Sequence, residues 1–150
     1  MDPIEPVIDV PYSTSTFGVE VQLAPMYLPE ESTHDSMIHV FFYAMRIINS
    51  SHLPVTILSR HFLIRDGHGH DRLVEDAGIR GTQPTIDVNA HITYSSYCPL
   101  PTTSGSIRGY LWVAFGDGTE ARVDIPVCFL RHQDSPDGEY GLYPALSSAC

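Results

Sequence analysis

The chain has 150 residues, a length typical of one domain with an ordinary hydrophobic core, so neither a metal nor a disulfide is required to hold it together. Eighteen carboxylates stand against eight arginines and no lysine, which gives a formal net charge of −10 at pH 7. A surface this acidic repels nucleic-acid backbones and anionic lipids, so we expect no nucleic acid and no membrane insertion.

Residues 1–16 predict an arm outside the folded domain. Three prolines interrupt the first eleven residues and the sequence STST follows, so this stretch cannot sustain a helix and offers little to bury. The acidic start is unlike a secretory signal, and no apolar run approaches the roughly 18 residues of a membrane span. We therefore expect a flexible N-terminal arm and a cytoplasmic protein.

Alternation of apolar and polar residues predicts strands from residue 17 onward. Every second residue from Val19 to Leu23 is apolar, the pattern of a half-buried strand. Residues 37–49 are apolar on both parities, as expected of a central strand. Further segments rich in β-branched and aromatic residues begin at residues 54, 85 and 106, each bounded by turn residues.

The last predicted core strand covers residues 121–129. Its apolar residues share one parity: Ala121, Val123, Ile125, Val127 and Phe129. Pro126 predicts an edge or a bulge within it. Alternation ends after Leu130, so residues 131–150 are predicted to be a C-terminal tail and residues 17–130 the domain. Because no window shows a sustained helical period, the fold is predicted to be all-β, a sandwich of two antiparallel sheets.

The sequence EDAGIRGTQP, residues 75–84, carries glycines at a spacing found in phosphate-binding loops. A dinucleotide fingerprint needs a glycine where Asp76 stands and a helix after Gly81, but an extended, proline-containing segment follows. Two hypotheses stay open. Gly78 and Gly81 either supply positive φ angles in an inter-strand turn, or belong to an anion nest assisted by Arg80.

Two further groups of side chains have a structural and a functional interpretation. His68 and His70, between two aspartates, predict either a site for a divalent transition metal or a solvated polar turn. Arg60 lies in an otherwise apolar strand, which predicts either internal pairing or a binding surface. Arg108 is a second arginine that could assist an anion site.

No catalytic residue is identified. The motifs GxSxG, SxxK and HExxH are absent, so we expect a protein that is not an enzyme and needs no cofactor. The three cysteines are odd in number and widely spaced, which argues against a disulfide framework and a zinc knuckle. We expect reduced thiols.

The succession of motifs resembles the ApaG family over about residues 17–130. The motifs are MYLPEES, HVFFYAMRIIN, ILSRHFLIRDGHG, EDAGIRGTQP, ITYSSYCPLPTTSGSIRGYL and ARVDIPVCFL. The resemblance implies a fibronectin type III-like, and so immunoglobulin-like, β-sandwich without an established catalytic activity. Bacterial members carry a label linking them to cobalt resistance and magnesium efflux, and eukaryotic relatives occur as a domain of F-box and polymerase-interacting proteins.

The resemblance also bears on the glycine stretch, which in the family is discussed as a pyrophosphate or nucleotide site. Its second and third glycines match Gly78 and Gly81, whereas its first falls on Asp76. A carboxylate there repels a phosphate unless it is protonated or paired with Arg80.

Together these observations predict a binding module that docks a protein partner or forms a homodimer through a sheet face or edge. The alternative is a pyrophosphate or nucleotide binder using Gly78, Arg80 and Gly81, with Arg60 or Arg108 as helpers. A third hypothesis is a divalent-metal role for His68 and His70.

Overall fold

The computed structural model describes residues 12–33 and 38–132, which form nine β-strands. The strands are β1 (Tyr12–Thr16), β2 (Val19–Thr33), β3 (Ile38–Asn49), β4 (Val55–Asp66), β5 (Asp71–Ala77), β6 (Thr85–Ile86), β7 (His91–Leu100), β8 (Ser104–Phe115) and β9 (Glu120–Arg131). The all-β prediction is confirmed.

Two antiparallel sheets form the sandwich. The first sheet has the strand order β1-β2-β3-β7, and the second has the order β5-β4-β8-β9, with the short β6 also paired to β4. The predicted sandwich of two antiparallel sheets is thus confirmed, and the strand predicted over residues 37–49 is the central strand β3. On one side of the molecule β1 and β9 are the edge strands, and on the other side β5 and β7 are.

The core fills the space between the sheets with side chains from alternate positions. Each fully buried aliphatic or aromatic side chain contributes roughly 1.5–3 kcal/mol relative to exposure. The largest of them are Tyr27, Tyr43, Phe41, Phe62, Leu23, Leu28, Met45, Ile47, Ile57, Ile64, Ile86 and Ile107. This core fixes which residues of the second sheet face inward and which face solvent.

A bulge in β9 overturns part of the predicted burial. Ile107 pairs with Cys128, but Gly109 pairs with Ile125, so Pro126 and Val127 together oppose a single residue of β8. The extra residue reverses the side-chain parity beyond it. Val127 and Phe129, predicted to be in the core, are therefore 42% and 49% exposed.

The domain begins earlier than predicted. Residues 12–16, expected to belong to a flexible arm, form β1 and pair along their whole length with β2. The remainder of the predicted arm, residues 1–11, and residues 133–150 of the predicted tail lie outside the described residues.

The cysteines differ from one another. Cys128 is a buried, reduced thiol, as predicted, but Cys98 is disulfide-bonded, so the prediction of reduced thiols is wrong for Cys98. No helix within residues 12–33 and 38–132 is long and apolar enough to cross a membrane.

Candidate functional site

The glycine stretch forms a loop, residues 78–84, between β5 and β6. Both strands pair with β4, and the loop leaves the sheet beside a bulge in β4 at Leu58. The carbonyl of Leu58 accepts hydrogen bonds from the Gly78 amide (2.6 Å) and from Nε2 of Gln83 (3.0 Å). The bulge therefore provides an acceptor that holds both ends of this glycine loop.

A tight turn forms the tip of the glycine loop. The amide of Ile79 donates to the carbonyl of Thr82 (2.7 Å), and the amide of Thr82 donates to the carbonyl of Ile79 (3.0 Å). Arg80 and Gly81 have φ angles of 51° and 80°, the two positive values of a type I′ turn. Ile79 is 5% exposed and belongs to the core, so the turn is fixed from below.

Gly78 has a different role from Gly81. A Cβ at Gly78 would lie 1.8 Å from the carbonyl oxygen of Thr82, whereas a Cβ at Gly81 would meet nothing within 4 Å. Gly78 is therefore required by close backbone approach as well as by its positive φ angle of 63°, and Gly81 by its positive φ angle alone. The turn hypothesis accounts for both glycines, and the amides of Gly78 and Ile79 already donate within the protein.

Arg60 and Asp76 form an ion pair next to this loop. They face each other across β4 and β5, with Nη2 of Arg60 2.6 Å and Nε 3.1 Å from Oδ2 of Asp76. The Arg60 side chain is 8% exposed, while that of Asp76 is 47% exposed. Burial is the largest influence and lowers the pKa of Arg60, but the hydrogen bond to Asp76 and the electrostatic effects of Tyr94, Tyr43 and Asp76 together outweigh it, so the pKa lies above its ordinary value. Internal pairing, one of the two interpretations of Arg60, is thus present.

Two tyrosine hydroxyls lie in the interior near the Arg60 guanidinium. The hydroxyl oxygens of Tyr43 and Tyr94 are buried, and within the described part of the chain neither makes a hydrogen bond of good geometry. Burial raises the pKa of both groups, and Arg60 opposes that rise electrostatically. The guanidinium therefore lies between a half-exposed carboxylate and two buried hydroxyls.

Arg80 extends away from Asp76. Its guanidinium donates to the carbonyl of Ser95 in β7, which connects the glycine loop to the edge of the first sheet. Arg60, Gly78, Arg80 and Gly81 consequently lie at one side of the sandwich, the open edge between β5 and β7.

The other predicted residues are elsewhere. His68 and His70 lie in the exposed turn between β4 and β5, where their amides donate to Oδ1 of Asp66 (2.8 and 3.1 Å) and their rings are 6.1 Å apart. No group of three or more potential metal ligands occurs within residues 12–33 and 38–132. Arg108 pairs with Leu63 on the outer face of the second sheet, the face opposite to that of Arg60. The predicted site residues thus fall in three places.

The outer face of the second sheet carries a groove of about 740 Å³, which sequence reasoning missed. We call it the outer groove. It crosses β5, β4, β8 and β9 and reaches β1, and it is lined chiefly by Leu63, Leu73, Arg108, Tyr110, Val127 and Tyr12. Leu73 is 68% exposed.

A stack of aromatic and cationic side chains forms part of the floor of the outer groove. The rings of His61 and Tyr110 are stacked with centroids 4.6 Å apart, and the guanidinium of Arg122 lies 4.2 Å from the Tyr110 centroid. Nε of Arg122 donates to Oδ1 of Asp124 (2.7 Å). His61 also lies between Ser59, 2.8 Å from Nε2, and Glu75, 3.7 Å from Nδ1. These contacts fix the orientation of the stack.

Arg108 is the exception among the charged residues of the outer groove. Its Nε is buried and has no hydrogen-bond partner in the described ranges. Asp71 senses its charge, but that carboxylate is held by Arg65 through two hydrogen bonds of 2.7 and 3.0 Å. The hydrogen bond from Arg65 is the main cause that lowers the pKa of Asp71 below its ordinary value, with Arg108 a smaller one.

A family model described as the ApaG domain matches residues 29–114. The chain is 37% identical over 115 residues to Protein ApaG of Brucella suis biovar 1, covering 77% of this chain and 88% of that protein.

Solved structures give the same result. A protein named ApaA from Bordetella pertussis superimposes with a TM-score of 0.74 at 32% identity, covering 80% of this chain and 95% of that one. The X-ray structure of a structural-genomics target, SoR45, has a TM-score of 0.73 at 24% identity, covers 85% of this chain and 97% of its own, and supports the fold alone. The chain therefore belongs to the ApaG family.

Proposed function

We propose that the protein is a non-enzymatic interaction module that docks a partner protein in the outer groove. The observation that carries this proposal is the exposure of Leu73, Val127 and Phe129 on one face of the second sheet. Large apolar side chains that are exposed together on one face mark interaction sites more often than ordinary surface.

The composition of the outer groove supports a protein as the partner. Tyrosine, tryptophan and arginine are enriched where protein interfaces concentrate their binding energy. Tyr110 and Arg122 line the groove, and Trp112, 37% exposed, lies on the same strand and face as Tyr110. Because the groove is open across four strands, it suits an extended surface contact better than an enclosed ligand.

The contacts of His61 resemble part of a catalytic triad. Ser59, His61 and Glu75 follow the order of a nucleophile, a base and an acid, with the hydroxyl 2.8 Å from Nε2. An acyl-transfer site also needs donors for an oxyanion. Ser59 lies within a strand paired on both sides, which engages the backbone around it in ladder hydrogen bonds. This geometry favours a structural role for the three side chains.

The docking surface can be tested with a double substitution. Leu73→Asp with Val127→Asp should abolish the partners that the wild-type protein captures from cells, because both changes place charge in the apolar part of the outer groove. Val88→Asp is the matched control, since Val88 is 40% exposed and does not line the groove. Surface changes of this kind cost within about 0.5 kcal/mol of stability, so denaturation curves should overlay.

Self-association is measured in the same series by light scattering after size exclusion. A homodimer through the outer groove would dissociate in the double variant and persist in Val88→Asp. The interaction module is refuted if the wild type captures no partner and shows no self-association at cellular concentration. A hydrolase screen with the purified protein checks the non-enzymatic assignment.

A second candidate function is the binding of pyrophosphate or nucleotide at the glycine loop. The observation in its favour is that Arg60 and Arg80 lie at the same open edge as Gly78 and Gly81. Against it, Asp76 holds one guanidinium and the Ser95 carbonyl the other, so a phosphate would have to displace both.

Isothermal titration with pyrophosphate tests this second candidate. Binding should be weakened by at least ~1.5 kcal/mol in Arg80→Ala, the size of a charge-assisted hydrogen bond, and strengthened in Asp76→Asn. The absence of heat with any phosphate ligand would exclude this second candidate.

A role in cobalt or magnesium handling predicts that the His68→Ala, His70→Ala double variant loses cobalt affinity. An unchanged affinity would exclude both residues as metal ligands.

A further inference from the structure

We propose that the outer groove recognises an extended, acidic segment of the partner protein, with a carboxylate bound by Arg108 and apolar side chains on either side of it. This inference rests on the proposed function and adds the chemistry of the partner. It follows from three features of the groove: a cation without a partner, the pairing of every neighbouring acid, and a row of apolar side chains.

Each acid at the outer groove lies beside a basic side chain of the protein. Asp124 accepts from Arg122 at 2.7 Å, and Glu75 lies 3.7 Å from Nδ1 of His61. Asp71, the carboxylate whose pKa responds to Arg108, is bound at both oxygens by Arg65. Of the two arginines that line the groove, Arg108 is therefore the one without an ion pair among the residues described.

The environment of Arg108 calls for an external acceptor. Its Nε is buried from solvent and unpaired, so its desolvation is not offset within the described residues. Arg108 as a whole is only partly buried and lines the groove, so a carboxylate can approach its guanidinium from the groove, where two parallel hydrogen bonds would bind it. In a chain with a net charge of −10, an arginine without an ion pair attracts an acidic group locally against the global field.

The neighbours of Arg108 define what accompanies the carboxylate. Leu73 pairs with Leu63, and Leu63 pairs with Arg108, while the β9 bulge places Val127 on the far side of Arg108. A row Leu73, Leu63, Arg108, Val127 thus runs across four strands. The cation has two apolar side chains on one side of it and one on the other.

Strand spacing converts this row into a sequence pattern. Neighbouring strands lie about 4.8 Å apart, so Leu73 is roughly 10 Å from the Arg108 position and Val127 roughly 5 Å. An extended peptide that crosses the strands advances about 3.3 Å per residue. The pattern is therefore an acid with an apolar residue about three positions away on one side and one or two positions away on the other.

A random heptapeptide library displayed on phage tests this pattern on the full-length protein. Selection on the wild type should enrich peptides with one Asp or Glu at this spacing from apolar residues. Selection on Arg108→Gln should lose the acidic preference. The control is Arg46→Gln on the first sheet, whose selected motif should match that of the wild type.

Fluorescence anisotropy with the best selected peptide completes the test. Affinity should fall at least tenfold when its acid becomes the corresponding amide or when Arg108 becomes Gln, and combining both changes should add little. Arg46→Gln should bind within twofold of the wild type. Chemical-shift changes on binding should include the methyl groups of Leu63, Leu73 and Val127.

The outcomes separate this inference from the proposed function. Selected peptides that bind the groove without an acidic residue, or equally well in Arg108→Gln, overturn the acidic recognition and leave the docking groove in place. No enriched motif on any variant contradicts both. If peptides bind only after residues 1–11 or 133–150 are removed, a segment of this chain occupies the groove and the assignment to a partner protein is overturned.

Discussion

Two arginines on opposite faces of the second sheet show how differently the same side chain is used. Arg60 points into the sandwich at the open edge, where Asp76 holds its guanidinium at 2.6 Å. Arg108 points into the outer groove, where its buried Nε has no partner in the described residues. The charges of Arg60 and Asp76 at the open edge are thus paired within the protein, which favours a structural role for this pair. In the outer groove, the acid that pairs with Arg108 would come from the proposed partner.

Alanine at the two glycines of the loop is the strongest test of the structural assignment of the open edge. Gly78→Ala should cost at least about 3 kcal/mol, because its Cβ would lie 1.8 Å from a backbone carbonyl that the turn holds in place. Gly81→Ala should cost roughly 1 to 2 kcal/mol, the strain of a positive φ angle alone. Urea denaturation of both variants measures the difference.

Equal losses for the two variants would contradict this division of roles. If the loop were instead a ligand-binding nest, alanine at either glycine should lower ligand affinity more than stability. Arg80→Asn is a useful companion, because asparagine followed by glycine is favoured in a type I′ turn and should leave stability unchanged or raise it.

The Arg60–Asp76 pair gives the next largest expected effect. Asp76→Ala should destabilise the protein by about 2 kcal/mol, less than the 3–5 kcal/mol of a fully buried pair because Asp76 is 47% exposed. The loss arises because Arg60 stays buried with its main partner removed. Asp124→Ala is the matched control: its pair with Arg122 is more than half exposed on both sides and contributes at most about 1 kcal/mol.

Thermal or urea unfolding of the two aspartate variants decides the matter. If Asp124→Ala costs as much as Asp76→Ala, the open edge and the outer groove do not differ in how they pair their charges. Asp76→Asn separates charge from size, since it keeps a side chain that can still accept from Arg60.

The fold was accessible from sequence because it follows from local patterns. Alternation from Val19 to Leu23 and apolar residues on both parities in β3 reflect one-sided and two-sided burial, and both predictions are confirmed. The sequence does not predict β1, because STST has no apolar alternation and the place of this strand in the sheet depends on pairing with β2. Unbroken alternation past Pro126 predicts that Val127 and Phe129 lie in the core. The prediction is wrong because the bulge that Pro126 itself indicates reverses the alternation there.

The candidate sites depended on contacts that no short sequence window contains. Arg60 meets Asp76 across a strand register that sequence does not specify, and Arg80 reaches the carbonyl of Ser95 on the other sheet. The outer groove was missed for the same reason: Leu73, Leu63 and Val127 come together on one face only after four strands pair. An apolar residue at an outward position of a strand was the available signal, but it requires knowing which parity faces the core.

The buried tyrosines behind Arg60 predict a loss of stability in alkali. Burial raises the pKa of Tyr94 well above its ordinary value of 10.0 in the folded state, so its contribution is fully present below pH 10. As pH rises above 10 the unfolded chain loses this proton first, and stability falls by about 1.4 kcal/mol per pH unit for each such tyrosine. Tyr94→Phe should reduce the slope of urea midpoint against pH between 10 and 11.

The comparison for this measurement is internal to the chain. Tyr110→Phe, in the outer groove, is the control, because it removes a tyrosine hydroxyl that lies outside the interior beside Arg60. Equal slopes for wild type and Tyr94→Phe would show that the interior beside Arg60 admits solvent. The contrast between the buried groups at the open edge and the solvent-facing outer groove would then be weaker.

Removing Arg108 should have the smallest effect on folding. Arg108→Gln eliminates a partly buried charge that no described residue pairs, so the free energy of unfolding should change by less than about 0.5 kcal/mol or increase slightly. Arg60→Gln is the paired control, and its free energy of unfolding should fall by clearly more. This substitution breaks the contact with Asp76 and removes the guanidinium from beside Tyr43 and Tyr94. Urea midpoints of the two variants at neutral pH measure this. A loss in Arg108→Gln as large as in Arg60→Gln would mean that Arg108 is structural, and the outer groove would then lose the free cation on which its acidic specificity depends.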